Sequence, residues 1–487
     1  MRLVVLSVAA LACQFVGHAC EAAETRPNIL FCIADDLGWP TAGAYGDAVV
    51  RTANFDRVAS EGLLFNNAYV AAPSCAPSRA SILTGRMFYE LEEGAIIWSS
   101  LSRKFEVFPD MLEQSGYRVG LTGKGWGPGN YKVGGFTRNP AGPTYKSFAE
   151  FLESTPGDRP FFFWYGDKDP HRPYEPGSGA ASGLKAADVK LPPWFPDVPE
   201  VRGDVLDYYY EVERFDRQVG EMLELLKEKG LAENTMVVIT GDNGWPFPRA
   251  KAYLFDRGVH VPLAVRWPAR VPGGRVVDDF VSLADLAPTF LEAAGLRPTP
   301  QMSARSFLDV LTSNGQGQVD PRRDSVVTGL EKHGFQFPMR SIRTHQHSYI
   351  RYYAPGDYTC TDSGPTLEFL KAHADDPRYR QMAEWCFGAR PAEELYDLAK
   401  DPNELKNVAG DPFYAEVKER MGKRLDAYLL GTGDPRATGQ GIETLENAPR
   451  YRPPDRPTAN KKTSDAPPGG QNARSKKPKQ KSSENQR

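Results

Sequence analysis

Five short apolar runs punctuate the N-terminal part of the chain, at residues 28–34, 118–122, 161–165, 236–240 and 261–267. They are too short for buried helices. Without polar alternation, they suit strands covered on both faces. Helical patterns separate them. The clearest, 205–229, places Leu206, Tyr209, Val212, Val219, Met222, Leu223 and Leu226 near helical spacing and stops at Gly230. Ser282 begins another, with Asp285 three residues on as a capping-box variant. This alternation predicts an α/β fold with a large, mainly parallel sheet sandwiched by helices.

Beyond Asp324 the texture changes. Residues 325–328, 341–344 and 348–353 read as shorter strands without long crossover helices. Residues 413–430 read as a closing helix with Val417, Met421, Leu425 and Leu429 on one face. The expected organisation is therefore a larger α/β domain at 24–323 and a smaller C-terminal α+β domain at 324–432 with a short antiparallel sheet. A tail at 433–487, rich in Pro, Gly, Asn, Ser and Lys, is expected to be disordered. Its basic end (Arg474, Lys476, Lys477, Lys479, Lys481) reads as solvated charge.

At 487 residues, 40% hydrophobic and 25% charged, the chain has ample material for a large core. A formal net charge of -3 carries no nucleic-acid footprint. Residues 1–23 read as a signal peptide: Arg2, an apolar run at 3–12, then small residues around 19–23. That run is too short to span a bilayer, and no later stretch reads as transmembrane. Export to the periplasm or outside the cell follows. Ala10-Leu11-Ala12-Cys13 resembles a lipoprotein cleavage box, but alanine stands where leucine is usual, so a lipid anchor is the lesser alternative. Of six cysteines, Cys13 and Cys20 leave with the signal and Cys32 reads as core. Cys360 and Cys386 are close enough to close one loop, and an exported protein meets oxidising conditions, so a disulfide between them is a candidate.

One stretch carries chemistry: Cys75-Ala76-Pro77-Ser78-Arg79, continuing to Leu83-Thr84-Gly85-Arg86. Pro77 suits a helix's first turn, whose free N–H groups attract an anion. Arg79 falls one turn after Cys75, on the same face. A lone cysteine is most often buried and inert. Elsewhere Asp35-Asp36 ends the first run and Asp242-Asn243 follows the fourth. Such pairs are commonly turns or caps. Two of them beyond the carboxyl ends of parallel strands could instead hold a hard cation. Asp169-Pro170-His171-Arg172, after the third run, reads on its own as a turn with a surface histidine.

The Cys75 stretch resembles the sulfatase signature C-x-P-S-R-x-x-x-L-T-G-R at every fixed position. Arg26-Pro27-Asn28-Ile29-Leu30 leading to Asp35-Asp36-Leu37-Gly38-Trp39, Gly116-Tyr117 to Gly123-Lys124, and Gly241-Asp242-Asn243-Gly244 are similar to three further motifs of that family. With Val281 to Thr289 and Glu394-Leu395-Tyr396-Asp397-Leu398 before Asp401-Pro402 also similar, the resemblance covers about 26–410. It implies that a maturation enzyme converts Cys75 to formylglycine, and that Asp35, Asp36, Asp242 and Asn243 bind one divalent cation, Ca²⁺ ahead of Mg²⁺. It implies further that Arg79 and Lys124 support the formylglycine, that His171 contacts sulfate and protonates the leaving group, and that Lys251 binds a sulfate oxygen.

After Lys124 the family commonly carries a histidine near position 126. Here the order is Gly125, Trp126, Gly127. Gly244-Trp245-Pro246-Phe247-Pro248 and Phe337-Pro338-Met339-Arg340-Ser341 look similar to the heparan N-sulfatase branch, which cleaves the N-sulfate of glucosamine. On that resemblance His333 and Arg340 become candidates for touching sugar, with Trp126 or Trp245 as aromatic faces. The implied activity is hydrolysis of a sulfate ester or sulfamate on a sugar. O-sulfate cleavage on another glycan, phosphoester hydrolysis and non-catalytic sugar binding are the alternatives.

Overall fold

The computed structural model describes residues 26–154, 159–356 and 362–451. The expected signal peptide lies outside the described residues, and so does Cys360, with its expected bond to Cys386.

Strand β1 (Asn28–Ala34) runs through the middle of the main sheet. Its side chains alternate between two cores. Ile29, Phe31 and Ile33 face one apolar cluster, while Leu30, Cys32 and Ala34 face another. Along the chain follow β2 (Leu63–Phe65), β3 (Ala68–Tyr69), β4 (Arg118–Gly123), β5 (Phe161–Gly166), β6 (Thr235–Gly241), β7 (Leu263–Arg266), β8 (Arg275–Val277) and β9 (Val281–Ser282). The sheet order is β4-β5-β1-β6-β7-β2-β8, and the short β3 and β9 pair separately. β4, β5, β1 and β6 are parallel, as are β2 and β8. β7 runs antiparallel to both neighbours. The segment between β6 and β7 carries one short helix, Asp256–Val259, and no long crossover to return the chain for a parallel entry.

The helix Pro199–Glu228 begins earlier than the apolar pattern suggests, because Pro199 opens its first turn. It packs Val205, Leu206, Tyr209, Val212 and Val219 against the Leu30 side of the sheet. At Ser282 the capping box forms as expected: Ser282 Oγ accepts from Ala284 N, and Asp285 accepts from Ser282 N.

The second sheet is antiparallel, ordered β10 (Ser325–His333), β11 (Phe335–Thr344), β12 (His347–Tyr352) and β13 (Glu393–Asp397). The helix Ala415–Gly431 packs Met421, Leu425 and Leu429 against it. Leu330, Phe337, Met339 and Ile350 of this sheet belong to the same apolar cluster as Phe31 and Leu83. The change of texture after Asp324 is therefore not a break in the core.

Two expectations are corrected here. Residues 433–451, assigned to a disordered tail, include the short helices Pro435–Thr438 and Ile442–Glu446. Arg340, a candidate sugar contact, is fully buried. The two errors share a cause. Arg340 pairs with Glu331 at 2.6 Å and with Asp434, which is itself fully buried, and Arg436 joins Glu331 at 2.7 Å. Opposite charges from distant segments satisfy one another, which composition alone reads as solvated polarity.

Removing one partner of a buried ion pair costs about 3–5 kcal/mol, and Glu331 still holds Arg340, so Asp434→Ala is expected at the lower end, about 3 kcal/mol. Urea unfolding followed by tryptophan fluorescence measures it. A loss below about 1 kcal/mol, the range of an exposed pair, would show that this network does not anchor residues 433–451.

Candidate active site

β1 and β6 are parallel neighbours in the register Ala34↔Gly241. The residues that follow, Asp35, Asp36, Asp242 and Asn243, therefore leave adjacent strand ends side by side, and all four are buried. Asp36 takes the left-handed backbone region with φ +71, which aspartate tolerates better than most residues. Its N–H donates to Asp242 Oδ1 at 3.0 Å, and its carbonyl accepts from Tyr208 Oη at 3.1 Å.

The helix Cys75–Thr84 delivers the sulfur. Every residue in it is buried, and Gly85 closes it at φ +64. Cys75 Sγ lies 3.3 Å from Asp35 Oδ1 and 3.9 Å from Asp36 Oδ1. One turn on, Arg79 Nε donates to Asp242 Oδ2 at 2.6 Å, and its Nη1 donates to the carbonyls of Lys124 and Gly125. Lys124, just past β4, reaches Asp35 Oδ2 at 2.6 Å. Lys251 lies 2.8 Å from both Asp36 Oδ2 and Asp362 Oδ2. His171 Nε2 stands 3.9 Å from Asp36 Oδ2. Each carboxylate of the cluster thus has a cation beside it.

Burial would push the Asp35 carboxyl up, but Lys124, His171, Arg79 and Lys251 outweigh it and hold it well below the usual range. Asp242 is raised, because burial and the charge of Asp35 prevail over Arg79 and Lys124. Burial would lower Lys251, yet Asp36, Cys75 and Asp362 keep it well above the normal lysine range, so it stays cationic. Burial and then Asp35 push the Cys75 thiol well above its normal value.

The donors suit a hard cation. Carboxylate oxygens of Asp35, Asp36 and Asp242 lie within 4.8 Å of one another and of Cys75 Sγ. Asn243 spends its amide nitrogen on Asp36 Oδ1 at 2.7 Å, while its Oδ1 is buried without a hydrogen-bond partner. An orphaned amide oxygen beside three carboxylates is an all-oxygen set of the kind that binds Ca²⁺ or Mg²⁺.

Above this cluster opens a cleft of about 1080 Å³ lined by Cys75, Lys124, His171, Lys251, His333 and Asp362. His333 ends β10, with Nδ1 2.9 Å from Ser74 Oγ. Burial, helped by Lys251, lowers its pKa to about 3, so it is neutral at physiological pH. Asp362 was not anticipated. It sits in no motif, and only the fold brings it to Lys251. Trp126 and Trp245, proposed as sugar faces, are buried at 3% and 4% exposure within apolar clusters. Trp98 lines the cleft instead. Where the family histidine was expected, Trp126 is clamped through its backbone by Asn139. Arg340 stays away from the cleft. Cys386 is buried, with Sγ 3.8 Å from the carbonyl of Trp194.

Residues 27–296 match the sulfatase family model, and 241–384 match the C-terminal model of N-sulphoglucosamine sulphohydrolase. The chain is 27% identical over 468 residues to an ulvan-active sulfatase of Formosa agariphila, covering 84% of this chain and 76% of that one. It is 30% identical over 479 residues to human N-sulphoglucosamine sulphohydrolase, covering 85% and 92%. A protein solved with its substrate D-glucosamine-2-N,6-O-disulfate shares the fold at a TM-score of 0.65 and 19% identity, covering 85% of this chain and all of that one. With the signature at Cys75 intact and its neighbours converging on one cleft, the chain belongs to the sulfatase family.

Proposed function

We propose that this sulfatase removes sulfate from a heparan-type N-sulfoglucosamine residue, using a formylglycine made from Cys75 by a maturation enzyme and one divalent cation, Ca²⁺ ahead of Mg²⁺. The observation that carries the reading is Cys75 Sγ, at the head of a complete signature, lying 3.3 Å from Asp35 in a cleft also lined by Lys124, His171 and Lys251. Export, read from residues 1–23, belongs to the same proposal.

Hydrated formylglycine supplies two hydroxyls on one carbon, one to attack sulfur and one to expel sulfate as the aldehyde re-forms. Asp35, Asp36, Asp242 and Asn243 would hold the cation, which would neutralise charge on a sulfate oxygen. Lys124 and Lys251, both cationic, would bind the remaining sulfate oxygens. Arg79 fixes Asp242 and the Lys124 carbonyl, and so positions both sides of the site. His171, at the cleft wall, would give a proton to the departing amine or hydroxyl as the S–N or S–O bond breaks. His333, neutral and in the same cleft, stands where it would face the bound substrate. No imidazole replaces the family histidine at Trp126 itself.

The N-sulfate assignment rests on the 241–384 match and on the human relative's name. The ulvan-active relative favours a second reading, O-sulfate hydrolysis on another polysaccharide. A sulfate-release screen over N-sulfated and O-sulfated sugars, run on protein co-expressed with a maturation system, separates them. Release from glucosamine N-sulfate alone is the expected result, and release only from O-sulfated sugars would overturn the first reading.

Intact-mass measurement should find the loss corresponding to CH₂SH becoming CHO at Cys75. Cys75→Ala is expected to lower kcat by at least about 10³-fold, as removal of a nucleophile does. Full activity with an unmodified thiol would sink the mechanism.

Restoring Ca²⁺ to metal-stripped protein should raise Tm, since a cation at 100 times its Kd adds about 2.7 kcal/mol. Asp36→Asn is expected to lose most of that shift in a thermal scan. An equal shift in the variant would remove Asp36 from the ligand set.

A further inference from the structure

The end of the described chain returns to the cleft. Leu445 and Ala448 bury in the apolar cluster that holds Met87 and Phe88. Two residues later Arg450 Nη1 donates to the carbonyl of Gly334 at 3.0 Å. Tyr451 N donates to the carbonyl of Trp98. Gly334 is the turn between β10 and β11, next to His333, and takes φ +82. Trp98 N in turn donates to Pro128 O, just past Lys124 in the chain. Residues 450–451 therefore tie two parts of the cleft lining together, and Arg450 lines the same cleft as Cys75 while remaining exposed.

This geometry has a chemical consequence. The floor of the cleft, at Cys75, Lys124 and Lys251, is built for one sulfate. The cleft, at about 1080 Å³, slightly exceeds the roughly 300–1,000 Å³ range of small-molecule sites, so it has room beyond a single sulfated group. A guanidinium presents a planar fork of donors that fits sulfate or carboxylate in pairs of bonds, and a neutral hydroxyl less well. Buried ion pairs at Asp434 and Arg436 anchor the segment that carries it, so its approach to the rim is built into the fold.

We infer that Arg450 is a specificity-determining residue that binds a second anionic group of the substrate while the first lies at Cys75. The inference rests on the sulfated-sugar reading above. It adds that the preferred substrate carries a further sulfate or a carboxylate.

The test compares wild-type protein, Arg450→Ala and Arg450→Lys, each with the Cys75 thiol intact and Ca²⁺ present, by calorimetric titration. The probes are glucosamine N-sulfate, glucosamine 2-N,6-O-disulfate, and an N-sulfoglucosamine–uronate disaccharide. In Arg450→Ala, the preference for a doubly anionic probe over glucosamine N-sulfate should fall about tenfold, the scale of one charge-assisted contact, and in Arg450→Lys by less. A fall confined to the disulfate identifies sulfate as the second group, and one confined to the uronate identifies carboxylate. Wild-type binding with an unchanged preference in Arg450→Ala overturns this inference and leaves the sulfated-sugar reading standing. If wild-type protein binds none of the probes and the matured protein releases no sulfate from them, that reading falls and this inference with it.

Discussion

Everything in the active site depends on a buried balance of charge between two neighbouring strand ends. Asp35, Asp36 and Asp242 would each be costly to bury alone. Lys124, Lys251 and Arg79 sit against them one to one, at 2.6, 2.8 and 2.6 Å. In that state the cluster is near neutrality. A divalent cation bound among the same oxygens would tip it positive at the floor of the cleft, where a sulfate monoanion would have to lie. The carboxylates that would hold the metal also hold the two lysines in place, so one set of contacts would serve metal and anion together.

The backbone makes this arrangement rigid. The parallel register of β1 and β6 sets Asp35 and Asp242 level with each other. The left-handed turn at Asp36 brings its amide onto Asp242, so the two strand-end pairs constrain one another. The Cys75 helix is buried on every side, and Arg79 bolts it to Asp242 and to the carbonyl of Lys124. A side chain at position 75 therefore has little freedom to move relative to the strand-end carboxylates. Such fixed geometry favours attack at a bound sulfur atom.

The sequence exposed the parts of this design whose physics is local. Strands buried on both faces leave continuous apolar runs, so β1, β4, β5 and β6 were visible. β2 and β8, with three residues each, carry no period to detect. The antiparallel direction of β7 depends on the path between strands, which composition does not encode. The Cys75 stretch and the strand-end pairs stood out through their resemblance to family motifs, each a short contiguous run, whereas their residue types alone fit an inert cysteine and ordinary turns. Asp362 was not, since it meets Lys251 across 111 positions. Arg340 misled for the same reason: its partner Asp434 is 94 residues away, and a charge with a distant partner looks like surface until the fold is known. Trp126 and Trp245 misled because an aromatic near a motif is as often packing as platform.

The floor and the wall of the cleft come from different parts of the chain. The floor comes from the strand ends of the main sheet and the Cys75 helix. Part of the wall, with His333, Asp362 and Arg450, comes from the second sheet and the segments around it. The two sheets share one apolar cluster, which fixes the wall against the floor although their residues are far apart in sequence. Changes in the wall could then alter which sugar is held while leaving the charge balance beneath it intact. Within one family, such a division lets the sulfate-cleaving groups stay constant while the recognised glycan varies.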